Sequence, residues 1–219
     1  ENFDLIEEEF DEDEIAKDTD LSKSKLRLVN NINSTVKSKF TLLELIEKGE
    51  TAHIEFKQTL HYDVNGNAPA APEGSIVKVV LAFFNGQKNG GELIVGVRDN
   101  SDIVGLESDF QAIAIIKKAN TNKEKKDKAQ LWLRDLLREN LKGYEDFVTK
   151  ISIKFEKHDN KEILRICVPK SPKMPIYPSP VKKLKEHIIS QALYIKDGNS
   201  IRVLEGAVRD RYISEHFNN

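Results

Sequence analysis

Three acidic residues lie at positions where their carboxylates could meet in the folded chain. Glu50 directly precedes a predicted strand, Glu55 lies on the polar face of that strand, and Asp99 follows the next predicted strand. If the two strands are neighbours, the three carboxylates converge at one end of a sheet. Two unit charges at ~5 Å repel by roughly 3 kcal/mol at an effective dielectric constant of 20. Such a cluster therefore needs a divalent cation, a lysine or a shifted pKa.

Carboxylate oxygens are the ligands that Mg²⁺ and Mn²⁺ prefer in proteins. A cation bound by Glu50, Glu55 and Asp99 could activate water and neutralise a phosphate, as phosphodiester cleavage requires. Lys57 lies on the same strand face as Glu55 and is the candidate contact for the scissile phosphate. On spacing alone a simpler interpretation is favoured, in which Asp99 is a turn residue, Glu55 pairs with Lys57, and Glu50 is merely exposed.

The glycine-rich segment 86–91 has the glycine spacing of a P-loop but lacks the phosphate-binding and metal-binding residues that follow the last glycine of a P-loop. Glu92 and Leu93 occupy the positions where a P-loop requires Lys and then Ser or Thr. The segment also follows a predicted helix and leads into a strand, which is the reverse of the P-loop order. We therefore expect no ATP binding of the P-loop type.

Charge is distributed unevenly along the 219 residues. Residues 1–20 contain eleven acidic residues and one lysine, a net charge of −10, so the other 199 residues, with 33 basic and 25 acidic side chains, carry +8. A basic body indicates an anionic partner. The candidate nucleic-acid contacts are Lys57, Lys88, Lys117, Lys118, Lys123, Lys125, Lys126, Lys182 and Lys183. The lysine-rich segments 117–128 and 182–183 are equally well explained as solvated loops.

The hydrophobic pattern predicts an α+β domain at 41–219, in which a mixed sheet is flanked by helices. Residues 1–20 are predicted to form a disordered acidic tail, and residues 21–40 a helical extension or linker. Predicted helices cover residues 42–48, 75–84, 107–120, 127–141 and 204–216. Predicted strands cover residues 53–57, 93–97, 103–106, 147–156, 162–168 and 192–196.

Several of these segments carry specific signals. Thr41 and Glu44 form a capping-box pattern at the start of the first of these helices, and Gly49 is a suitable end for it. Residues 93–97 are a continuous apolar run, which is typical of a central strand. The lysine-rich run 123–128 is predicted to separate two helices.

Composition excludes several classes of protein. No stretch approaches 18 consecutive apolar residues, and the N-terminus lacks the basic and apolar regions of a secretory signal. The single cysteine, Cys167, excludes an intrachain disulfide framework and a cysteine-based zinc cluster. We therefore expect a cytoplasmic protein with no membrane segment.

The sequence from 50 to 106 resembles the Schlafen/AlbA-like domain family. The motifs that carry the resemblance are Glu-Phe-Lys at 55–57, Ala-Phe-Phe-Asn at 82–85, Gly-Gly-Glu-Leu-Ile-Val-Gly-Val-Arg-Asp at 90–99, Ile-Val-Gly-Leu at 103–106 and Tyr-Ile-Lys-Asp-Gly-Asn-Ser at 194–200. Together they extend the similarity to roughly residues 41–216. The resemblance implies an α+β fold of the Schlafen AlbA-like type.

The resemblance also implies roles for the acidic residues. In the ribonuclease members of the family, two Glu and one Asp form a metal-assisted site that cuts structured RNA, and these match Glu50, Glu55 and Asp99. Many bacterial members are known only as DNA-binding or regulator-like proteins. The animal proteins build a U-shaped groove from two such lobes, so this chain would need a homodimer, with the 21–40 helix as a docking element.

The leading hypothesis is a nucleic-acid-binding domain with metal-dependent endoribonuclease activity that uses Mg²⁺ or Mn²⁺. One alternative is a non-catalytic DNA-binding regulatory module of a larger protein. Another is a protein-interaction or oligomerisation module. Composition does not decide between RNA and DNA.

Overall fold

The computed structural model describes residues 40–61, 71–86, 90–171, 174–184 and 188–217. They belong to a unit that spans Val36–Asn219, and the other unit, Glu1–Thr35, lies outside them. The predicted acidic tail, and all of the predicted helical extension except Phe40, are therefore outside the described residues. No helix among the described residues is long and apolar enough to cross a membrane.

Helices and strands occur largely in separate runs, as the α+β prediction requires, with four helices between residues 107 and 149 and four strands between residues 152 and 204. The helices are α1 Leu42–Lys48, α2 Ala71–Asn85, α3 Glu107–Ala112, α4 Ala114–Lys117, α5 Asn122–Asn140, α6 Glu145–Thr149 and α7 Gly206–Phe217, with a short 3₁₀ helix at Lys182–Leu184. The strands are β1 Ile54–Lys57, β2 Gly91–Val95, β3 Ser152–His158, β4 Lys161–Val168, β5 Leu193–Asp197 and β6 Ser200–Leu204.

Four strands form one mixed sheet in the order β1-β2-β4-β3. β1 and β2 are parallel, with Phe56 opposite Ile94, and β4 is antiparallel to both of its neighbours. β2 is an interior strand, as its apolar run predicted. β5 and β6 form a separate antiparallel hairpin.

Alternation along the strands divides the side chains between two faces. Phe56 and Ile94 pack with Leu45 of α1 on one face, while Leu93 and Val95 pack on the other face in the core that contains α2 and α5. α2 is apolar nearly all round and deeply buried. Side chains that alternate with Phe56 along β1 therefore point toward the α2 side of the sheet.

The start and end of α1 confirm the capping prediction. The Thr41 hydroxyl oxygen accepts a hydrogen bond from Glu44 N at 3.3 Å, and the Glu44 carboxylate accepts one from Thr41 N at 2.7 Å. Gly49 ends the helix with φ +67° and donates its N–H to Ile46 O at 3.1 Å. Local sequence alone specifies this helix, because both caps are made by residues within it or beside it.

The lysine-rich run is helical, so its prediction as a loop was wrong. α5 begins at Asn122 because the Thr121 hydroxyl oxygen accepts from Glu124 N at 3.1 Å and the Glu124 carboxylate accepts from Asn120 N at 2.8 Å. Glu124 also forms an ion pair with Lys128 one turn later, at 2.8 Å. These contacts stabilise a first turn that composition alone made look like a solvated linker.

Other element boundaries also differ from the prediction. α2 begins at Ala71, four residues early, because a proline in the first helical turn removes no intrahelical hydrogen bond. The predicted helix 107–120 is interrupted at Ile113, whose backbone is extended, so α3 and α4 are separate. The predicted strand 103–106 is reduced to a single bridge between Val97 and Ile103.

The predicted strand at 147–156 begins later, because α6 occupies its first residues. The β3–β4 hairpin closes through Asp159 and Asn160, both with positive φ, as a tight two-residue turn requires. β6 was missed as a strand. Leu131 of α5 is 50% exposed, whereas Leu133 and Leu137 of the same helix are buried.

Gly90 and Gly91 are required by close packing. Gly90 has φ +76°, and a side chain there would collide with the backbone at Val168 and Lys170. A side chain at Gly91 would collide with the ring of Phe83. The two glycines therefore let the start of β2 pass between the end of β4 and helix α2.

Asn85, the last residue of α2, is fully buried and joins three later segments. Its Nδ2 donates to Ile176 O at 2.8 Å and to Tyr194 O at 3.2 Å, and its Oδ1 accepts from Ile176 N at 2.8 Å. Its backbone carbonyl accepts from the Tyr212 hydroxyl at 2.9 Å. Burial raises the pKa of Tyr212 to about 12, so this hydroxyl keeps its proton near neutral pH. One side chain thus fixes the proline-rich loop and β5 against α2.

We expect Asn85→Ala to lower the free energy of unfolding by about 3 kcal/mol, because it leaves buried backbone groups of residues 176 and 194 without partners. Urea unfolding of the variant measures this loss. The matched control is Asn120→Ala, at an exposed position, which should stay within about 0.5 kcal/mol of the unmodified protein. Equal losses in the two variants would contradict the anchoring role of Asn85.

Candidate functional site

The Glu55 carboxylate is buried and held by two lysines. Glu55 is 6% exposed and points to the α2 side of β1. Its Oε1 lies 2.6 Å from Nζ of Lys57, and its Oε2 lies 2.5 Å from Nζ of Lys196, whose side chain is 2% exposed. The first lysine comes from the same strand, and the second comes from β5, 141 residues further along the chain.

Glu50 lies beside this group. Its Oε1 accepts a hydrogen bond from Phe56 N at 2.9 Å, which turns the side chain back over the first residues of β1. Burial raises the pKa of the Glu50 carboxyl, the bond from Phe56 lowers it, and the negative charges of Glu55 and Asp99 raise it further. The bond to Phe56 N brings the Glu50 carboxylate beside the residue that follows Glu55.

Asp99 occupies the tight turn after β2. The turn is closed by Ser101 N, which donates to Arg98 O at 2.9 Å, and Ser101 Oγ donates to Ile46 O at 3.2 Å. The second contact anchors the turn to the end of α1, close to Glu50. Asp99 is exposed, as a turn residue should be.

The structure contains parts of both interpretations of the acidic residues. Glu55 does pair with Lys57 and Asp99 is in a turn, as the simpler interpretation expected, but Glu50 is partly buried instead of exposed. A cluster of acidic side chains needs a divalent cation, a lysine or a shifted pKa. Here Lys57 and Lys196 pair with Glu55, and the pKa of Glu50 is raised. We call Glu50, Glu55, Asp99, Lys57 and Lys196 the carboxylate–lysine site.

Lys196 was missed as a functional residue by sequence analysis. It lies in a strand whose other members are almost all buried, and a buried lysine requires a paired acid. The resemblance also placed a basic residue at this position. Neither signal identified Glu55 as the partner, because that pairing depends on how the β5–β6 hairpin docks.

The oxygen donors suit Mg²⁺ or Mn²⁺ chemically, but their present arrangement does not form a metal site. Across the described ranges, no group of three or more His, Cys, Asp and Glu side chains is placed to hold a metal ion. Both oxygens of Glu55 accept from lysine ammonium groups. A cation could use Glu55 as a ligand only if a lysine moved away.

The predicted nucleic-acid lysines fall into groups with different surroundings. Lys117, Lys118 and Lys123 are exposed around the α4–α5 junction and form no ion pair within the described part of the chain. Lys126 is paired with Glu162 at 2.8 Å. The remaining positions are Lys125, which is partly buried, Lys182, which is exposed, Lys183, whose side chain is not described, and Lys88, which lies outside the described residues.

The fold and the site define an α+β domain in which a mixed sheet, a packed hairpin and a terminal helix surround a buried carboxylate–lysine group. The model of the family described as Schlafen, AlbA_2 matches residues 50–205, so the chain belongs to this family. The resemblance inferred from the motifs is thereby confirmed. Membership indicates a nucleic-acid-binding domain.

One solved structure is similar in part. It is the crystal structure of the DIP2311 protein from Corynebacterium diphtheriae, with 18% sequence identity and a TM-score of 0.47. The similarity covers 76% of this chain and 24% of that chain, so this chain spans about a quarter of the length of that protein. A search of curated proteins found no match.

We expect Lys196→Met to lower the free energy of unfolding by about 2–3 kcal/mol. This is less than the roughly 3–5 kcal/mol for breaking an isolated buried pair, because Lys57 still holds Glu55. Lys196→Arg keeps the charge and should lose much less. In urea unfolding, the double variant Glu55→Gln/Lys196→Met should lose less than the sum of its single variants. Strictly additive losses would show that the two side chains do not interact.

Proposed function

We propose that this domain binds nucleic acid through contacts between phosphates and the exposed lysines Lys117, Lys118 and Lys123, here called the junction lysines. The single observation that carries this proposal is that these three cations are exposed and unpaired within the described residues, at one junction of two helices. Membership of the Schlafen, AlbA_2 family and the +8 charge of the chain beyond residue 20 support it.

The charge of the carboxylate–lysine site favours phosphate contacts elsewhere. Three carboxylates and two ammonium groups give it a formal charge of −1 when all are ionised. A phosphate would be repelled there unless a cation were also present. The backbone contacts of bound nucleic acid are therefore assigned to the junction lysines, and Lys57 is left as the contact for a phosphate that reaches the site.

We expect Lys117→Ala/Lys118→Ala to weaken nucleic-acid binding uniformly across sequences. The slope of log affinity against log salt concentration should fall by about 2, since each lost phosphate contact removes about 0.9 for duplex DNA. Fluorescence anisotropy between about 50 and 200 mM salt measures this slope.

The charge-matched control is Lys142→Ala/Lys150→Ala. Both lysines are exposed and lie away from the α4–α5 junction: Lys142 follows the other end of α5, a 19-residue helix roughly 28 Å long, and Lys150 follows α6 in the segment that is bonded to Arg134 in the middle of α5. This control should leave affinity and slope nearly unchanged. Equal weakening by the two double variants would reject the junction as the contact surface, and no binding at any salt would favour the protein-interaction alternative.

A second candidate function is metal-dependent cleavage of structured RNA at the carboxylate–lysine site. It is favoured by the position of Glu50, whose carboxylate is bonded to the backbone of β1 next to Glu55 and whose pKa is raised by burial and then by the charges of Glu55 and Asp99. Glu50 and Glu55 would be ligands of Mg²⁺ or Mn²⁺, Asp99 a ligand or a water-orienting group, and Lys57 the phosphate contact. When bound, the cation would supply an activated water molecule and neutralise phosphate charge. Lys196 or Lys57 would have to give up a Glu55 oxygen.

We expect cleavage of transfer RNA in the presence of Mn²⁺, and its loss in Glu50→Gln, Glu55→Gln and Asp99→Asn, because each change removes an anionic ligand. Asp102→Asn, in the same turn as Asp99 but not assigned to the site, should cleave normally. Thermal unfolding with and without Mn²⁺ gives a second readout, since a bound cation stabilises the folded chain. Intact RNA, or equal cleavage by all variants, leaves the non-catalytic DNA-binding module as the better account. The homodimer implied by the resemblance stays a prediction.

A further inference from the structure

A cleft of about 330 Å³ is lined in part by Lys196, the lysine that binds Glu55. It lies between the β5–β6 hairpin, helix α7 and the C-terminal end of α2. Its apolar lining includes Phe83, Leu204, Val208 and Tyr212. The volume is at the lower end of the roughly 300–1,000 Å³ found for ligand pockets, enough for one small group and not for a base pair.

Two arginines give the lining of the cleft its accessible positive charge. Arg202 and Arg211 line it together with Asp197 and Glu215, and the ammonium group of Lys196, which also lines it, is bound to Glu55. Arg211 is exposed and forms no ion pair within the described part of the chain, and Arg202 is paired with Asp197 at 3.0 Å while remaining more than half exposed. The two guanidinium groups are thus accessible to an anion.

His53 adds a polar group to the same wall. Its Nδ1 lies 2.9 Å from Gly90 O, and a carbonyl oxygen can only accept, so Nδ1 carries the proton. In the neutral ring Nε2 is then an acceptor. The cleft therefore combines an apolar surface, accessible cations and an imidazole that can accept a hydrogen bond.

We propose that this cleft holds one unpaired nucleotide of a bound single strand. The base lies against the apolar lining, and the adjoining phosphate is bound by Arg211 and Arg202. Nucleobases have apolar faces and polar edges and are joined to an anion, which is the combination the lining matches. A base within a duplex is stacked and paired and cannot enter such a cleft.

This proposal rests on the proposed nucleic-acid binding and specifies its substrate class as single-stranded. It also gives Lys196 a second role. One side of this lysine forms the wall of the cleft, and its ammonium group binds Glu55. A nucleotide in the cleft would therefore lie next to the carboxylate–lysine site, so the cleft would select an unpaired nucleotide at that position.

The test compares a fluorescein-labelled oligouridylate, an oligothymidylate and a duplex of equal length by fluorescence anisotropy. Val208→Glu places a carboxylate in the cleft at a position that is 58% exposed, so the fold should tolerate it. We expect it to weaken single-strand binding about tenfold and duplex binding less than twofold. The matched control is Val203→Glu, at an exposed position of β6 between the cleft-lining Arg202 and Leu204, whose side chain points to the opposite face.

A second pair of variants tests the phosphate contact. Arg211→Ala should weaken single-strand binding about tenfold, because charge-assisted hydrogen bonds to phosphate are lost. Arg138→Ala, at an exposed position on α5 away from the cleft, should leave affinity unchanged. The two single strands differ in the 2′-hydroxyl and in the 5-methyl group of the base, so the tighter one identifies the preferred combination of these groups, and either result is compatible with the cleft.

The outcomes separate the cleft from the proposed function. If the variants leave single-strand affinity unchanged while loss of the junction lysines weakens it, the cleft proposal is overturned and nucleic-acid binding stands. If Val208→Glu weakens duplex and single strand equally, the effect is general repulsion and the cleft proposal is also overturned. If free uridine monophosphate competes as well as the oligonucleotide, the site belongs to a free nucleotide. If the unmodified protein binds no nucleic acid, both proposals fail together.

Discussion

The contact of the buried Glu55 carboxylate with two lysines is the interaction on which the rest of the site depends. A carboxylate removed from water costs several kcal/mol unless opposite charges and hydrogen bonds replace the lost hydration. Lys57 satisfies one oxygen from the same strand, but the other oxygen depends on Lys196 from the β5–β6 hairpin. The hairpin must therefore dock in one position, since any displacement leaves a buried charge without its partner. The pairing of Glu55 with Lys196 depends on a short distance between two charged groups. It therefore specifies the position of the hairpin more sharply than apolar packing does.

Neutral hydrogen bonds reinforce the same docking. Asn85 at the end of α2 binds the carbonyl of Tyr194, two residues before Lys196, and its own carbonyl receives the hydroxyl of Tyr212 from α7. Helix α2, the hairpin and α7 are thereby joined around one buried position. The last residue of the Ala-Phe-Phe-Asn motif is Asn85, and its hydrogen bonds fix the positions of β5 and α7, which line the cleft.

The three charged regions of the domain suit different parts of a nucleic acid. The junction lysines are exposed cations and suit a backbone that remains in water. The cleft has two accessible guanidinium groups, those of Arg202 and Arg211, beside an apolar lining, and suits one nucleotide removed from a stack. The carboxylate–lysine site has an excess of negative charge, which suits a cation more than a phosphate. Lys196 borders the last two regions, with its ammonium group bound to Glu55 of the carboxylate–lysine site.

Sequence by itself determined the elements whose causes are local. Helix α1 was predicted with its caps because Thr41, Glu44 and Gly49 act within a few residues of one another, and β2 was recognised by its apolar run. The three acidic residues were selected because turn and strand patterns fix where each one lies along the chain. The start of α5 was missed although Thr121 and Glu124 cap it locally, because the lysine-rich composition favoured a solvated linker. The interruption at Ile113 was missed because this residue is buried in the core and fits the apolar pattern of a continuous helix. Only the tertiary structure revealed that Lys196 neutralises Glu55 and borders a cleft, because residues 141 positions apart are brought together by hairpin docking, which leaves no local pattern in the chain.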